Sequence, residues 1–368
     1  MRYLAFFLSV ALILSASCSV KNQDQNQEVK RFLSKEASAA LEKLKTLDGR
    51  FLVAHQDATS YGVKWNYSDS TQGCDIFDVC GDYPAVYGFD IGHIELDHPA
   101  NLDSVDFNLM NRLIREAHMR GGLITISWHL DNPVSGGHAW DTARAVAKIL
   151  PGGEYHNKYV SWVAKAAAFL KGLKDDRGEL IPVFFRPFHE MSGGWFWWGT
   201  GHRTPGEYKK LWKETVRLLY GVHGLNNLIF VYSTDKVGNE EQYLACYPGD
   251  DWVDMIGLDF YDRSGTLEGY TEPLKASLAM LEKVGAAHGK PFALTETGYE
   301  TIPDPEWWTG RLLPAMQGSG AAWVLLWRND RPTHHYAPYP GHPSSPDFIK
   351  FFNAPETLFG REWAALNP

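Results

Sequence analysis

Short apolar runs recur along the chain and alternate with longer amphipathic stretches. The runs last four to seven residues and are rich in β-branched and aromatic side chains, which is typical of buried strands. Eight such runs occur, at Phe51–His55, Ala85–Ile91, Leu123–Trp128, Ile181–Phe185, Leu228–Tyr232, Met255–Tyr261, Phe292–Thr295 and Ala321–Trp327. The clearest helical periodicity between them covers Val105–Arg120, Tyr159–Leu173, Pro205–Tyr220 and Leu274–His288. This alternation predicts parallel strands joined by crossover helices.

Eight strand and helix units predict an α/β fold in which the strands close into a (β/α)8 TIM barrel, as a single domain. Nearly continuous apolar strands fit this prediction, because a parallel barrel buries both faces of each strand. The alternative is an open, doubly wound sheet. That fold is disfavoured because no glycine-rich phosphate loop follows the first strand.

Polar, acidic and aromatic residues follow the apolar runs. They include His55, Asp57, Asp90, His93, His129, Asp131, Arg186, Glu190, Asp235, Asp259, Tyr261, Glu296, Trp327 and Arg328. In a TIM barrel the carboxyl ends of all eight strands open onto one face, and active sites lie there. The sequence therefore predicts a functional site at this mouth of the barrel.

The first residues have the pattern of an export signal. Arg2 precedes the apolar run Tyr3–Leu14, which is too short for a membrane span, and small residues then lead to Cys18. We expect a signal peptide over residues 1–17. Small residues directly before a cysteine resemble the lipobox of bacterial lipoproteins, which predicts lipid attachment at Cys18. Ordinary cleavage and secretion is the alternative, because Ser15 stands where a lipobox usually has leucine.

The polar segment after Cys18 is too poor in apolar residues to fold alone, and it predicts a tether. The expected organisation is a lipidated tether over residues 18–35 and a catalytic barrel over residues 36–368. We accordingly expect an exported protein of the bacterial periplasm or cell surface, bound to the membrane only through its lipid.

Charge and cysteine content limit the partners further. The chain of 368 residues has 35 Lys and Arg against 44 Asp and Glu, a net charge of −9, and no basic stripe accompanies its aromatic residues. This argues against nucleic acid and leaves neutral polymers as partners. Cys74 and Cys80 are close enough in sequence for a disulfide, with Cys246 single, and their spacing does not match a zinc site.

One stretch, IPVFFRPFHEMSGGWFWWGT at residues 181–200, combines a strand, a carboxylate and a row of aromatic side chains. Glu190 belongs to the polar cluster Arg186, His189 and Glu190 that follows the strand, and the aromatic run 195–198 comes after two glycines. Aromatic faces of this kind stack on the apolar face of a sugar ring. The alternative is that Glu190 only pairs with Arg186 and that the tryptophans belong to the core.

A second carboxylate, Glu296, follows the seventh strand in the segment LTETGY. Hydrolysis of a glycosidic bond needs one carboxylic acid to protonate the leaving oxygen and one carboxylate on the other side of the sugar ring. Strands four and seven lie across the mouth of a barrel from each other, so Glu190 and Glu296 are candidates for these roles. His189 and Tyr261 are candidates for orienting Glu296. Seen alone, Glu296 is equally compatible with a buried ion pair.

The motifs RPFHEMSGGWFWWG, TETGY, PGDDWVDMIGLDFYD and LLWRND resemble glycoside hydrolase family 26, which is typified by β-mannanases. The resemblance extends from about Leu47 to the last strand. It implies a retaining double displacement with Glu190 as acid/base and Glu296 as nucleophile, about 5 to 5.5 Å apart. The sugar-binding positions that it implies are His129, Trp140, His189, Trp195, Tyr261 and Arg328, of which His129 and Arg328 match the non-reducing side.

Two further clusters are expected to lie outside the chemistry. The adjacent pair His334 and His335 is more typical of a loop than of a metal site. The residues His93, Glu95, Asp97 and His98 alternate on one loop, and we expect them to contact substrate or solvent. No metal and no cofactor are expected.

The predicted substrate is mannan, glucomannan or galactomannan. The alternatives are another β-glycan, such as mixed-linkage glucan or xylan, and a non-catalytic glycan-binding lipoprotein. Cleavage within the chain and cleavage from its ends are both compatible with the sequence, which leaves the oligomeric state open as well.

Overall fold

Eight parallel strands form a closed barrel in the computed structural model, which describes residues 31–68 and 70–366. The barrel strands are β1 Phe51–Gln56, β2 Val86–Asp90, β3 Leu123–Trp128, β4 Val183–Pro187, β5 Leu228–Asp235, β6 Met255–Asp259, β7 Phe292–Thr297 and β8 Trp323–Leu326. Each strand pairs with its sequence neighbour, and β8 closes the barrel against β1 with Leu52 opposite Trp323. The predicted closed barrel is thereby confirmed, and the open sheet is excluded.

Helices surround the barrel and connect its strands. They are α1 Lys35–Leu44, α2 Asp75–Cys80, α3 Phe107–Met119, α4 Val146–Ile149, α5 His156–Gly172, α6 Pro205–Val216, α7 Glu240–Leu244, α8 Glu272–His288, α9 Leu313–Met316, α10 Ser345–Phe352 and α11 Gly360–Ala365. A two-residue strand, Thr357–Leu358, pairs with the first two residues of β1, Phe51 and Leu52, and a small hairpin joins Tyr61–Gly62 to Trp65–Asn66. All four predicted helical stretches are helical.

The ends of the strands differ from the predicted ends for local reasons. Ile181 is still tied to the preceding turn, where its N–H donates to the carbonyl of Leu173 over 3.0 Å, so β4 begins at Val183. Strand β5 continues three residues beyond the apolar run because Ser233 and Thr234 pair with Gly257 and Leu258 of β6. Polar residues therefore lie inside the barrel sheet at its carboxyl end.

Two buried clusters stabilise the barrel. Side chains that point inward fill its interior, where the rings of Phe184 and Trp323 meet edge to face at 5.0 Å. Helices α1 and α11 close the amino end of this inner core through Leu44 and Trp363. A larger outer cluster packs the helices against the strands. The rigid wall that results holds the carboxyl ends of the strands in fixed positions.

The chain already contacts the barrel ahead of α1. Arg31 donates two hydrogen bonds, of 3.0 and 2.8 Å, to the carboxylate of Asp254, and the N–H of Ser34 donates to the carbonyl of Asn226. The last residues assigned to the tether are thus bound to the barrel. The predicted signal peptide, Cys18 and the rest of the tether lie outside the described residues. Among the helices that are described, none combines the length and apolar character that crossing a membrane requires.

Cys74, Cys80 and Cys246 are free thiols. Cys74 caps the start of α2, and Cys80 is the last residue of that helix. Residues six apart on a helix point to different sides, whereas those three or four apart are neighbours. The helix therefore keeps the two sulfur atoms from forming the disulfide that their sequence spacing allows.

Candidate active site

A cleft of about 410 Å³ opens at the carboxyl ends of the strands. Its lining residues are His129, Trp140, His189, Glu190, Trp195, Phe196, Asp235, Tyr261, Arg263, Glu296, Trp327 and Tyr336. They lie at the carboxyl ends of strands β3 to β8 or on the loops that follow, so residues far apart in sequence meet at one place. Seven of the eight predicted site residues lie in this lining, and Arg328 does not.

The loop after β4 turns Glu190 into the cleft. Phe188 and Glu190 both have left-handed backbone angles, with φ of 52° and 53°, and the N–H of Glu190 donates to the carbonyl of Ser233 over 3.0 Å. Non-glycine residues in this region cost about 1 to 3 kcal/mol each and are typical of functional sites. The strained turn therefore positions the carboxyl group of Glu190.

Trp195 folds back over this turn. Its indole N–H donates a 2.7 Å hydrogen bond to Oε2 of Glu190, and 39% of the residue remains exposed. Gly193 makes this possible, because a Cβ atom there would lie 2.2 Å from the indole ring. The glycines ahead of the aromatic run thus serve the placement of one tryptophan.

The remaining aromatic residues of the run are buried. Phe196, Trp197 and Trp198 belong to the outer core, and the two indole N–H groups donate to the carbonyls of Leu130 and His189. The alternative interpretation included the prediction that the tryptophans of this run belong to the core. This prediction is correct for Trp197 and Trp198.

Glu190 lies in an environment that favours its protonated form. Burial raises its pKa well above the usual value, and the charges of Glu296, Asp259 and Asp235 raise it further. The hydrogen bond from Trp195 acts in the opposite direction. The net effect is a raised pKa, which suits a group that must hold a proton and transfer it to the leaving oxygen.

Glu296, on β7, is surrounded by donors instead. Arg186 donates to its Oε1, and the hydroxyl of Tyr261 donates to its Oε2 over 2.7 Å. His189 Nε2 lies 3.9 Å from Oε1, which is beyond hydrogen-bond distance. Donors to both oxygens match an ionised carboxylate, which only accepts hydrogen bonds.

Arg186 is the buried centre of the network beneath the cleft. It donates to Asp259 over 2.8 Å and to the hydroxyl of Ser233 over 3.2 Å, as well as to Glu296. Gly257 leaves room for Thr295, because a Cβ atom there would lie 2.5 Å from Cγ2 of Thr295, whose hydroxyl donates to Asp259 over 2.6 Å. The cluster holds one cation between two carboxylates.

Ligand atoms of His189, Asp259 and Glu296 lie within 4.8 Å of one another, a spacing that a metal ion can bridge. Arg186 already bonds to both carboxylates of this trio. A second cation would have to displace the buried guanidinium or lie beside it, so the trio is better described as the binding site of Arg186.

His129 and His189 form an edge-to-face pair, with ring centroids 4.6 Å apart. Burial, Arg186 and His129 lower the pKa of His189 well below its usual value. Burial alone would lower the pKa of His129 too, but the carboxylate of Asp90, 2.7 Å from Nδ1, raises it. The ring of Trp140 stacks on His129 at 5.2 Å.

Arg328 lies beside the cleft. It is half-buried at the exit of β8, where Nη2 lies 3.2 Å from Oδ1 of Asp103. Nη1 of Arg328 also lies 3.8 Å from Oδ2 of Asp330, and the contact of Arg328 with sugar stays a prediction.

For several of the lining residues the sequence predicted no specific role. Asp235 and Trp327 stand at strand exits, and that position was their only signal. Arg263 and Tyr336 lie further along the loops after β6 and β8, where no pattern of strand or helix marks them. Phe196 belongs to the aromatic run.

The two clusters set aside from the chemistry also lie outside the cleft lining. Glu95 is buried and accepts from Trp128 and from the N–H of Asp131, so it supports a loop rather than contacting solvent. His334 bonds to Glu300, and His335 packs edge to face against His342 at 5.0 Å.

Comparison with known proteins agrees with this geometry. A profile of glycosyl hydrolase family 26 matches residues 22–296. The chain is 34% identical over 278 residues to a mannan endo-1,4-beta-mannosidase of Bifidobacterium adolescentis, covering 72% of this chain and 27% of that protein. It is 33% identical over 251 residues to one of Bacillus subtilis, covering 64% of this chain and 65% of that protein. The chain thus spans less than two thirds of the length of these relatives.

Solved structures give a fuller overlap. A family 26 beta-mannanase of Bacteroides ovatus superposes with a TM-score of 0.86 at 43% identity, covering 90% of this chain and 97% of that chain. The catalytic domain of an endo-beta-1,4-mannanase of Bacillus sp. JAMB-750 gives a TM-score of 0.82 at 35% identity, covering 90% and 94% of the two chains. With its fold, its cleft and its sequence in agreement, this chain belongs to glycosyl hydrolase family 26.

Proposed function

We propose that this protein hydrolyses β-1,4-mannosidic bonds of mannan, glucomannan or galactomannan with retention of configuration. The observation that carries the proposal is the unequal setting of two carboxyl groups in one cleft. Burial and neighbouring charges raise the pKa of Glu190, whereas Arg186 and Tyr261 donate to both oxygens of Glu296. Two acids whose environments differ in this way divide the roles of proton donor and nucleophile. The names of the relatives support mannan as substrate.

The reaction has two steps in this arrangement. Glu296 attacks the anomeric carbon while the bond to the leaving oxygen breaks and Glu190 gives that oxygen its proton. Glu190, now ionised, takes a proton from water, whose oxygen attacks the same carbon and releases Glu296. Tyr261 and Arg186 hold Glu296 in place between the steps.

The direct test is release of reducing sugar from linear mannan by the purified protein and by its Glu190→Ala and Glu296→Ala variants. The proposal expects activity in the wild-type protein and a loss of at least about 10³-fold in either variant. Mixed-linkage glucan and xylan serve as parallel substrates. Activity on one of these alone would refute mannan as substrate, and binding of mannan without cleavage would refute catalysis.

A product time course on the same linear mannan separates two modes of action. A ladder of products at early times indicates cuts within the chain, whereas mannobiose alone from the start indicates action at chain ends.

The proposal also includes export and lipid attachment at Cys18. It is supported by the order of Arg2, an apolar run and small residues ahead of this cysteine. Expression in a bacterial host with labelled fatty acid tests it. We expect label and detergent-phase partition in the wild-type protein and neither in Cys18→Ser. An unlabelled wild-type protein in the medium would contradict lipid attachment.

A further inference from the structure

The loop after β2 carries a buried carboxyl group that takes no part in the proposed reaction. Glu95 lies in a single turn of 3₁₀-helix, Ile94–Leu96, and is fully buried. The residues on either side of this turn, His93 and Asp97, both have left-handed backbone angles, with φ of 76° and 59°. Strained residues of this kind are typical of functional sites, and a buried charge needs partners. The partners of Glu95 therefore indicate its role.

Both oxygens of Glu95 accept hydrogen bonds from the segment at the exit of β3. The indole N–H of Trp128 donates to Oε2 over 3.0 Å, and the backbone N–H of Asp131 donates to Oε1 over 2.8 Å. Donors at both oxygens match the ionised form, which only accepts hydrogen bonds. His129 lies between the two donors in sequence, so Glu95 holds the chain on both sides of His129.

His129 connects this pair of hydrogen bonds to the cleft. Its ring centroid lies 4.6 Å from that of His189 and 5.2 Å from that of Trp140, and all three side chains line the cleft. The backbone around His129 is closely packed, because a Cβ atom at Gly92 would lie 2.8 Å from its carbonyl oxygen. A displaced segment would therefore move the imidazole of His129 away from the other two rings.

We propose that Glu95 is a positioning residue of the active site, whose ionised carboxylate holds both ends of the segment 128–131 and thereby places His129 in the cleft. This inference rests on the proposed function. Asp90 fixes the direction of the His129 ring through Nδ1, whereas Glu95 fixes the backbone from which that ring projects. A protonated Glu95 is less suited to this role, because its O–H group would face one of the two N–H donors.

The ionisation of Glu95 changes near neutral pH. Burial raises the pKa of Glu95 to about 7, although hydrogen bonds from Asp131, Trp128 and its own backbone N–H lower it. Glu95 therefore takes up a proton as pH falls through about 7, and one of its two contacts with the segment weakens. Between pH 4.5 and 7 the folded protein binds this proton more tightly than the unfolded chain, so the contribution of Glu95 to stability decreases as pH rises. A carboxylate that only stabilised the fold would show the opposite dependence.

Other charged groups face Glu95 from the elements around it. From the loop after β3, the negative charge of Asp131 raises the pKa of Glu95 further. From helix α5, the ammonium group of Lys165 donates to the backbone carbonyl of Glu95 over 2.7 Å and to Asp97 over 2.6 Å. Burial raises the pKa of Asp131, and the charges of three histidines oppose this rise: His93, His138 and His98. A titration near pH 7 must therefore be assigned with a variant of Glu95 itself.

A double-mutant cycle tests this role, with Glu95→Gln, His129→Ala and the double variant acting on mannotetraose. Glutamine keeps the shape of the side chain, but its NH2 group would face one of the two N–H donors. We expect Glu95→Gln to lower kcat/KM about 10-fold in the wild-type background and less than about 2-fold in the His129→Ala background. Equal losses in both backgrounds would overturn the proposal, because Glu95 would then act independently of His129.

Two buried residues outside the cleft lining supply matched controls. Glu214 accepts from Arg217 at both oxygens, over 2.7 Å each, and the indole N–H of Trp308 donates to the hydroxyl of Ser344 over 3.1 Å. Glu214→Gln and Trp308→Phe should leave kcat/KM within about 2-fold of the wild-type value.

The pH dependence of kcat/KM gives a readout that a purely structural role would not change. The wild-type protein should show a step centred near pH 7, which should be missing in Glu95→Gln. Trp128→Phe removes one donor to Glu95, so it should move the step to higher pH, and its loss of kcat/KM should again depend on His129. A step that persists in Glu95→Gln would overturn the proposal.

Urea unfolding of the same proteins completes the test. The stability of the wild-type protein relative to Glu95→Gln should fall as pH rises from 4.5 to 7, and a rise would overturn the proposal. A wild-type protein inert on linear mannan and on mannotetraose would instead refute the proposed function, so the two failures are distinguishable.

Discussion

The indole N–H of Trp195 donates a 2.7 Å hydrogen bond to the carboxyl group of Glu190. This one contact couples the exposed aromatic surface of the cleft to the group proposed as acid. A hydrogen bond to a carboxylate favours the ionised form, so the contact lowers the pKa of Glu190 while burial and neighbouring charges raise it.

Replacing Trp195 by phenylalanine keeps an aromatic ring and removes the donor. The pKa of Glu190 should rise further, so Glu190 stays protonated to higher pH. We expect the alkaline limb of the pH profile of kcat/KM to move upward by about 1 unit. The pH dependence of kcat/KM, measured for both proteins in the same buffers, gives this shift. An alkaline limb that moves to lower pH in the variant would contradict this account of the contact.

Tyr261→Phe removes the donor to Oε2 of Glu296 and leaves the ring in place. Hydrogen bonds to charged groups are worth about 1.5 to 3 kcal/mol, so kcat/KM should fall about 10 to 100-fold. Kinetics on mannotetraose check the prediction, and an unfolding curve like that of the wild-type protein serves as control. An unchanged kcat/KM would show that Tyr261 does not support Glu296.

Arg186→Met tests the buried network. It leaves Asp259 and Glu296 without their shared cation, and loss of one partner from a buried ion pair costs about 3 to 5 kcal/mol. Arg115→Met is the matched control, because Arg115 pairs with Asp176 on the surface. Loss of this pair should lower the free energy of unfolding by less than about 1 kcal/mol. Urea unfolding near neutral pH measures both, and equal costs would contradict the proposed importance of burial.

Asp90→Asn tests the pair that orients His129. Burial alone would raise the pKa of Asp90, but His129, with hydrogen bonds from Ser127 and Gly92, lowers it to about 2. This contribution to stability is present above pH 3.8 and lost as pH falls toward 2. The raised pKa of His129 contributes stability that is present below 6.5 and lost as pH rises through the folded value.

The difference in unfolding free energy between wild type and Asp90→Asn should therefore be largest between pH 3.8 and 6.5. Urea unfolding at several pH values from about 3 to about 9 measures it. A difference that is constant across that range would show that the pair contributes without its charges.

The alternation of apolar runs and helical stretches was enough to predict the barrel, because each run is apolar almost throughout and a parallel barrel buries both faces of its strands. The place of Glu190 and Glu296 at the mouth of the barrel was predictable as well, because the carboxyl ends of all its strands open onto one face. The contact between Trp195 and Glu190 could not be predicted from the sequence, because it depends on a left-handed turn and on the space left by Gly193.

Residues on long loops were missed for a related reason. Arg263 and Tyr336 reach the cleft because their loops fold back over it. The path of a loop cannot be predicted from periodicity, because loops have no regular alternation of apolar and polar residues. Arg328 was predictable as a residue at a strand exit, but its ion pair with Asp103 at 3.2 Å was not, because Asp103 lies on a distant loop.

Azide rescue with an activated aryl β-mannobioside tests the assignment of the two glutamates most directly. In Glu190→Ala, azide should attack the glycosyl-enzyme and give the β-glycosyl azide. In Glu296→Ala, it should attack in place of the missing carboxylate and give the α-glycosyl azide. Proton NMR of the two products distinguishes them. The reverse assignment of α and β products, or rescue of neither variant, would contradict the account.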